Sequence, residues 1–523
     1  MTRLLESRPI LHALKLRHAG TALCSCVILA IAGAGSAPRA GADETPLRVA
    51  ITLMPASYGD PFRTLGVPGD WVWRQIFDPL TESDDEGRIV PLLAESFENL
   101  GPNTWRFVLR EGVRYANGRA FNAFSAKEVF DWLISDEGRA TVVGWEMRRV
   151  SEVEAPNART LIFTTWEPDP VLPNRLTSAM MVEPQAWREM GRHGFSRTPV
   201  GTGSYLLTDW QNRDGAVVLT ANPYAWRPPG ISRVEMYPLR DHASRLQAAL
   251  SGQLDVIMSL RPEQLNIFRD RGFTVHADIL RQILAFAFDV TGHPDSPIAD
   301  VRVRQALNYA IDRKALSEDI LQGFAPPASQ GSAPNVFGHN PRINPYPHDP
   351  VKARALLAEA GYPQGFSTTV QVVTGTYPND LEIFAKLQQD LAAVGVDMAF
   401  RRVLFSDWIR QFFQGAWRTE LFTMAWNTAP HNDALRPMEQ YSCLKTRPFF
   451  CDETLRAGLV AAGREMDTGR REALLQELAV EFRERAASLL LLEYGHMWVV
   501  APGLSGFRVR TRAPELYRVE RAD

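Results

Sequence analysis

The stretch Asp300-Val-Arg-Val-Arg-Gln-Ala-Leu-Asn-Tyr-Ala-Ile-Asp312 sets the architecture. Asp300 is a natural N-cap, because its carboxylate can accept from the orphan amides of a first helical turn. Val303, Ala306, Leu307, Ala310 and Ile311 follow on one stripe, which predicts an amphipathic helix laid against a core. Downstream, a Pro/Gly/Asn-rich segment over 323–350 leads to a second helix. Asp349 is its N-cap, Pro350 fits its first turn, and Gly361 stands where a C′ glycine belongs. Residues 367–373 read as a strand. Leu381, Phe384, Leu387, Leu391 and Val394 form another helical stripe closed by Gly395. A further helix is expected over 472–485 and a buried strand over 489–500.

Upstream the pattern shortens. Residues 47–53 read as a strand and are followed by a Pro/Gly-rich loop. Trp105, Phe107 and Leu109 alternate with polar neighbours, the period of a strand with one buried face. Asn117-Gly118 signals a hairpin turn, since both residues tolerate positive φ. Ser125 and Glu128 have the spacing of a capping box opening a helix. Short strands return over 200–219. Strands alternating with helices predict an α/β protein, and 523 residues exceed what one core holds, so two or three domains are expected.

The N-terminus is built differently. Arg3, Arg8, Lys15 and Arg17 precede an uncharged run from 19 to 38, and Ala40-Gly41-Ala42 ends it. A basic start, an apolar middle and an A-x-A end make a secretory signal cleaved after Ala42. The alternative, a retained membrane anchor, fits the Gly/Ala-rich second half of the run less well. Cys24 opens the apolar segment and does not follow it, which argues against a lipid attachment site. Removing 1–42 takes away five Lys/Arg and one Glu, so the formal charge moves from −3 to −7. An acidic secreted protein is a poor partner for nucleic acid, whose binding rests on Lys/Arg neutralising phosphates. Of four cysteines, Cys443 and Cys451 remain. In an oxidising compartment a disulfide is expected; the competing reading, metal ligation, fits Cys-x7-Cys without a nearby histidine badly.

No catalytic constellation stands out. Gly201-Thr-Gly203 lacks the third glycine of a dinucleotide fingerprint and precedes a strand, so it reads as a tight backbone at a strand entry. Gly503-Leu-Ser505-Gly506 lacks the spacing of a nucleophile elbow. The histidines are scattered, and acidic pairs such as Asp84-Asp85 sit in turn-like settings. No catalytic residue, metal or cofactor is therefore assigned.

Several collinear blocks carry a resemblance: Ile76-Phe-Asp-Pro-Leu80, the segment from Gly87 to Phe97, Trp105 to Gly118, Pro199-Val-Gly-Thr-Gly-Ser-Tyr205, Ala221-Asn-Pro223, Ser251-Gly-Gln-Leu-Asp255, Val301 to Asp312, and Asp349 to Pro363. Together they resemble bacterial extracellular solute-binding protein family 5, the peptide-, opine-, nickel- and oligosaccharide-binding components of ABC importers. The resemblance implies a two-lobed periplasmic binding protein type II fold, with an extra inserted domain in the first lobe and a ligand cleft between lobes. It divides the chain into a signal peptide (1–42), lobe 1 (43–90, 200–295 and a return segment 496–523), the inserted domain (91–199) and lobe 2 (296–495). It implies a periplasmic monomer that captures a small solute and hands it to a membrane permease. The alternatives are a sensor or holdase on the same scaffold, or a secreted hydrolase.

Cleft residues follow by the same resemblance. Trp426 is an expected aromatic wall, with Asn427, His431, Asn432 and Asp433 as polar groups beside it. Tyr58 and Trp71 (or Trp73) flank the first loop, and Tyr377 lies near the helix stripe that begins at Leu381. Two departures matter. The aspartate that holds a ligand ammonium in peptide-binding relatives is here Ala429, and 372–379 lacks the arginine that holds a carboxylate. A buried charge needs a partner, so a plain dipeptide is disfavoured against a sugar-like or conjugated solute, unless Asp433 replaces the missing acid. Intact-mass measurement of the secreted protein should find Asp43 as the first residue; a start at Met1 would contradict the cleavage assignment.

Overall fold

The computed structural model describes residues 45–210, 215–375, 377–510 and 512–522. The signal segment, its cleavage point after Ala42, Cys24 and Cys26 lie outside the described residues. One large sheet unites the rest. Its strands run in the order Val396–Arg402, Phe366–Val372, Leu421–Thr423, Thr274–Phe288, Ser488–Val500, Val256–Met258, Leu47–Ile51, Arg233–Pro238, Val217–Ala221, Tyr205–Asp209. Thr274–Phe288 and Ser488–Val500 are antiparallel, paired from Thr274 opposite Val500 to Ala287 opposite Ser488. At one end of this pair Trp498 and Val500 join a core with Leu47, Val49 and the helix Gly69–Ile76. At the other end Leu284, Phe286, Leu489 and Leu491 join a core with Val303, Leu307 and Leu387. The chain thus passes from the first half to the second along one strand and returns along the other.

The opening stretch folds as its sequence dictates. Asp300 accepts from the amide of Arg302 and caps the helix Val301–Ala310. Its apolar stripe is buried, and its polar residues bind backbone. Arg304 donates to the carbonyls of Ile298 and Ala299 at 3.0 and 2.9 Å and to that of Arg485 at 2.8 Å. Asn308 donates to Ser488 O at 3.0 Å, and Arg313 to Leu490 O at 2.7 Å. These donors satisfy carbonyls where the returning strand begins.

Elsewhere local signals shift. The helix Ala123–Ile134 is capped by Asn122, in a reciprocal box with Ser125; Ser125 therefore occupies the third helical position, and Glu128 pairs with Arg188 instead. Leu381 is exposed, because the helix Asp380–Ala392 starts after Asn379 in a left-handed conformation and turns Ile383, Phe384, Leu387 and Leu391 inward. Gly201 and Gly203 do mark a tight strand entry: a Cβ at Gly201 would lie 2.2 Å from Ile76 O. Asp84 is more enclosed than a solvated turn, bonded by Arg88 Nε at 2.8 Å. Residues 94–165 include a separate antiparallel sheet, ordered Ala94–Gly101, Thr104–Leu109, Thr160–Thr165, Val150–Asn157.

The two halves also meet away from the crossing strands, through the loop 428–433 of the second. Asn174 donates to His431 O at 2.5 Å and Thr177 to Pro430 O at 3.2 Å. Asn432 Nδ2 bridges Gly87 O (2.5 Å) and Asn335 O (3.0 Å). Gly87 is required here: its φ is +85°, and a Cβ would lie 2.0 Å from Asn335 O. Behind these bonds sits Glu146, buried, with Arg175 at 3.2 Å, His431 at 3.0 Å and Arg436 at 3.7 Å. Arg149 donates to Gly463 O at 2.8 Å at the rim.

Burial alone would raise the Glu146 carboxyl; His431, Arg436 and Arg175 outweigh it and hold the group well below the usual carboxylate range. Burial pushes His431 below its ordinary value in turn. A depressed carboxyl contributes stability that is present above its ordinary value of 4.5 and lost as pH falls through the folded value. Glu146→Gln should therefore lower stability at pH 7 by about 3 kcal/mol, the low end for a broken buried pair, since Arg175 loses Glu146 but keeps Asp169. The gap to wild type in denaturant melts should hold down to pH 5 and narrow only in stronger acid; a gap that closes between pH 7 and 6 would refute this assignment.

Candidate functional site

Where the two strands cross, register builds a row of side chains. Gln282 stands opposite Tyr494 on one side and Asn427 on the other. Directly opposed residues of an antiparallel pair share a face. Gln282 Nε2 donates to Tyr377 Oη at 2.8 Å, and the Tyr377 ring meets Tyr494 edge-on at 4.5 Å. Burial pushes the Tyr377 phenol up to about 12, so it stays neutral and can both donate and accept. Strand alternation brings His496 to the same face, two residues on. Glu493, one residue from Tyr494, falls on the other face opposite Ile283. Burial pushes its carboxyl up to about 7, and it forms no ion pair among the described residues.

His496 and Trp71 lie toward the first half. Their rings meet edge-on at 5.8 Å, and His496 Nδ1 is 3.4 Å from Ser259 Oγ. Burial, then the nearby Arg512, push the imidazole down to about 4. Arg512 itself is 2.7 Å from Asp70. That ion pair, Trp73, Arg74 and Thr177 border a cavity of about 10 Å³ closed on the far side by Pro430 of the second half, room for about one water.

The expected cleft residues divide into three groups. Asn427, Tyr377 and Trp71 lie on or beside the row just described. His431 and Asn432 belong to the contact between halves. The remaining three are engaged within one half. Trp426 is buried, stacked on Tyr441 at 4.2 Å, donates to Ser488 Oγ at 2.8 Å, and has Gly331 against its ring. Asp433 receives two bonds from Arg471, at 2.6 and 2.9 Å, so its charge is already balanced. Tyr58 lies under Arg197, 3.8 Å from its ring centroid, and edge-on to Trp210 at 5.6 Å. Trp73 is buried and donates to Tyr58 O at 2.7 Å. Gln282, Tyr494 and His496 had no motif to single them out; they sit inside long strands whose apolar content reads as core. Cys443 and Cys451 are bonded to each other, with Cα atoms 4.5 Å apart. Glu453 lies beside them, but the paired sulfurs leave no thiolate for a metal.

Residues 88–445 match the family model described as bacterial extracellular solute-binding proteins, family 5 Middle. Glutathione-binding protein GsiB of Escherichia coli (strain K12) is 30% identical over 345 residues, 64% of this chain and 65% of that protein; the match therefore spans a little under two thirds of this relative. Among solved structures, a dipeptide binding protein from Pseudoalteromonas sp. SM9913 in complex with Met-Leu superposes with a TM-score of 0.78 at 20% identity, over 91% of this chain and 100% of that one. The periplasmic binding protein DppA from Helicobacter pylori, in complex with the peptide STSA, gives 0.77 at 19%, over 92% and 98%. At these identities the two share the fold, a two-lobed binding-protein architecture. With well over half its length matched by the family model, this chain belongs to the bacterial extracellular solute-binding proteins of family 5.

Proposed function

We propose that the mature protein is the periplasmic solute-binding component of an ABC importer, enclosing a peptide-like solute between its halves and delivering it to a membrane permease. One observation carries the reading: polar and aromatic groups, Asn427, Gln282, Tyr377 and Tyr494, line up where the only two connecting strands among the described residues cross. A solute bound there touches both the crossing and the elements that move relative to it. Lobe 1 on this reading comprises 43–90, 200–295 and 496–523, the inserted domain 91–199, and lobe 2 296–495. The inserted domain supplies Glu146, Asn174 and Thr177, which reward closure with hydrogen bonds and an ion pair across the boundary. The protein acts as a monomer and does not turn its solute over; Ser259 Oγ lies 3.4 Å from His496 Nδ1, but no carboxylate bonds the other ring nitrogen to orient it as a base.

The solute class follows from charge. Ala429 stands where relatives place an acid, 372–379 has no arginine, and Asp433 is consumed by Arg471. A plain dipeptide zwitterion would bring two charges that the usual positions do not meet. A conjugated or γ-linked peptide, of the kind the name of the GsiB relatives describes, sets its charged groups at other spacings than a plain dipeptide and adds amide groups that the row's neutral donors and acceptors can meet. Glutathione at a hundredfold excess over its Kd should stabilise the protein by about 2.7 kcal/mol, read by thermal shift. Tyr377→Phe should weaken that binding by up to about tenfold, since a net hydrogen bond contributes about 0.5–1.5 kcal/mol. Hydrolysis of any bound peptide, or indifference to every peptide-like solute tested, would sink the reading.

A further inference from the structure

The geometry points to a carboxylate-binding subsite formed by Trp71 Nε1 and His496 Nε2 at the boundary between the halves; it rests on the solute-binding reading above and names the group that the solute must carry. Both residues are more than nine-tenths buried, at 2% and 8% exposure. Neither nitrogen has a hydrogen-bond partner in the structure. Buried polar groups in native proteins are satisfied with few exceptions, and each exception calls for a cause. Two of them lie in ring contact here, at 5.8 Å between centroids.

Neighbours of this pair reach toward the second half, although neither ring itself borders the small cavity. Trp71 belongs to the helix Gly69–Ile76, whose Asp70, Trp73 and Arg74 border the small cavity capped by Pro430 of the second half. His496 shares a strand face with Tyr494, the edge-on neighbour of Tyr377. Ser259, beside the imidazole, opens the segment in which Arg261 reaches Glu382 at 3.4 Å and Glu263 accepts from Asn379 at 3.2 Å, both in the second half. The indole of Trp498 also lacks a partner, but its ring neighbour is Phe507, which offers no polar group.

Both atoms are donors. An indole N–H cannot accept. We assign the ring proton of His496 to Nε2, with Ser259 Oγ–H donating to Nδ1 across their 3.4 Å contact. The imidazole stays neutral at periplasmic pH, because burial and Arg512 push it down to about 4; it therefore donates without carrying charge. Two neighbouring donors without partners call for an acceptor, and the Arg512 guanidinium near the imidazole favours an anionic one. Asp70 is already bonded to Arg512 at 2.7 Å. The subsite thus supplies from the first half what the arginine-free segment 372–379 does not supply from the second.

The test uses matched pairs of free acid and blocked compound: Met-Leu with its C-terminal amide, and glutathione with its diethyl ester. Isothermal titration is carried out on the mature wild type and on Trp71→Phe and His496→Phe. For whichever acid binds wild type, it should bind at least tenfold tighter than its blocked form. In each variant that gap should shrink below threefold. As a readout independent of the variants' folding, the indole N–H resonance of Trp71 in wild type should move on adding the acid and stay in place with the blocked compound. An equal affinity for acid and blocked form, or a gap that survives in a folded variant, or an unmoved Trp71 resonance, overturns the subsite while leaving solute binding intact. Failure of all four compounds to bind wild type overturns both the subsite and the peptide-like reading.

Discussion

The structure depends on one backbone constraint, the antiparallel ladder between Thr274–Phe288 and Ser488–Val500. These strands belong to two cores at once, so neither half can be completed without the other's contribution. Their amides and carbonyls are bonded across the boundary, which buried backbone requires. Regularity is broken at two places, between Ile279 and Gln282 and between Leu284 and Ala285. A bulge re-aims side chains and increases local twist. The first irregularity falls where Gln282 comes to face Tyr494 and Asn427, so the same feature that turns the strand from one half to the other also sets the row of polar groups. Arg304, Asn308 and Arg313 secure the start of the returning strand by donating to its carbonyls and those before it.

Against that continuous ladder, the contact through loop 428–433 is discontinuous and charged. Its core, Glu146 with Arg175, Arg436 and His431, removes several ions from water. Such groups return their desolvation cost only when geometry and hydrogen bonding are close to ideal. Arg175 is held from both sides, by Asp169 at 3.1 Å and Glu146 at 3.2 Å, which meets that condition within the first half. Of the bonds that cross, those from Asn174, Thr177 and Asn432 reach backbone carbonyls, and those of Glu146 reach His431 and Arg436. Separation would expose those carbonyls to water, which can satisfy them. A ladder that cannot be broken cheaply and a clasp that can be rehydrated together make relative movement of the halves the low-cost deformation of this fold.

How much of this was legible in the sequence varies with range. Helix starts at Asp300 and Asp349 are local, since the cap and the amide it receives are at most three residues apart. The start at Asn122 was misplaced by three residues because Ser125 and Asn122 both satisfy capping chemistry, and only the chain's entry angle decides between them. Loop 426–433 was recognised as an important edge, but its partners Gly87, Glu146 and Asn174 lie hundreds of residues away and leave no periodic trace. His431 and Asn432 therefore read as solute contacts, although their bonds run between the halves. Gln282, Tyr494 and His496 were hidden for the opposite reason: one polar residue inside a long apolar strand looks like a satisfied core group.

The charges that are absent say most about selectivity. Asp433 is the acid nearest the expected ammonium position, and its bidentate bond to Arg471 is the kind that fixes both partners. Recruiting it for a solute would leave a buried guanidinium unpaired, a larger loss than the solute's ammonium could return. Discrimination therefore falls to neutral groups with fixed geometry: the Tyr377 hydroxyl bonded to Gln282, the Asn427 amide, the Trp71 indole and the His496 ring. Sites of this kind reject a compound that leaves their buried polar atoms unmatched more strongly than they reward one that adds apolar contact. The match that matters is the placement of acceptor oxygens along the row, a carboxylate among them.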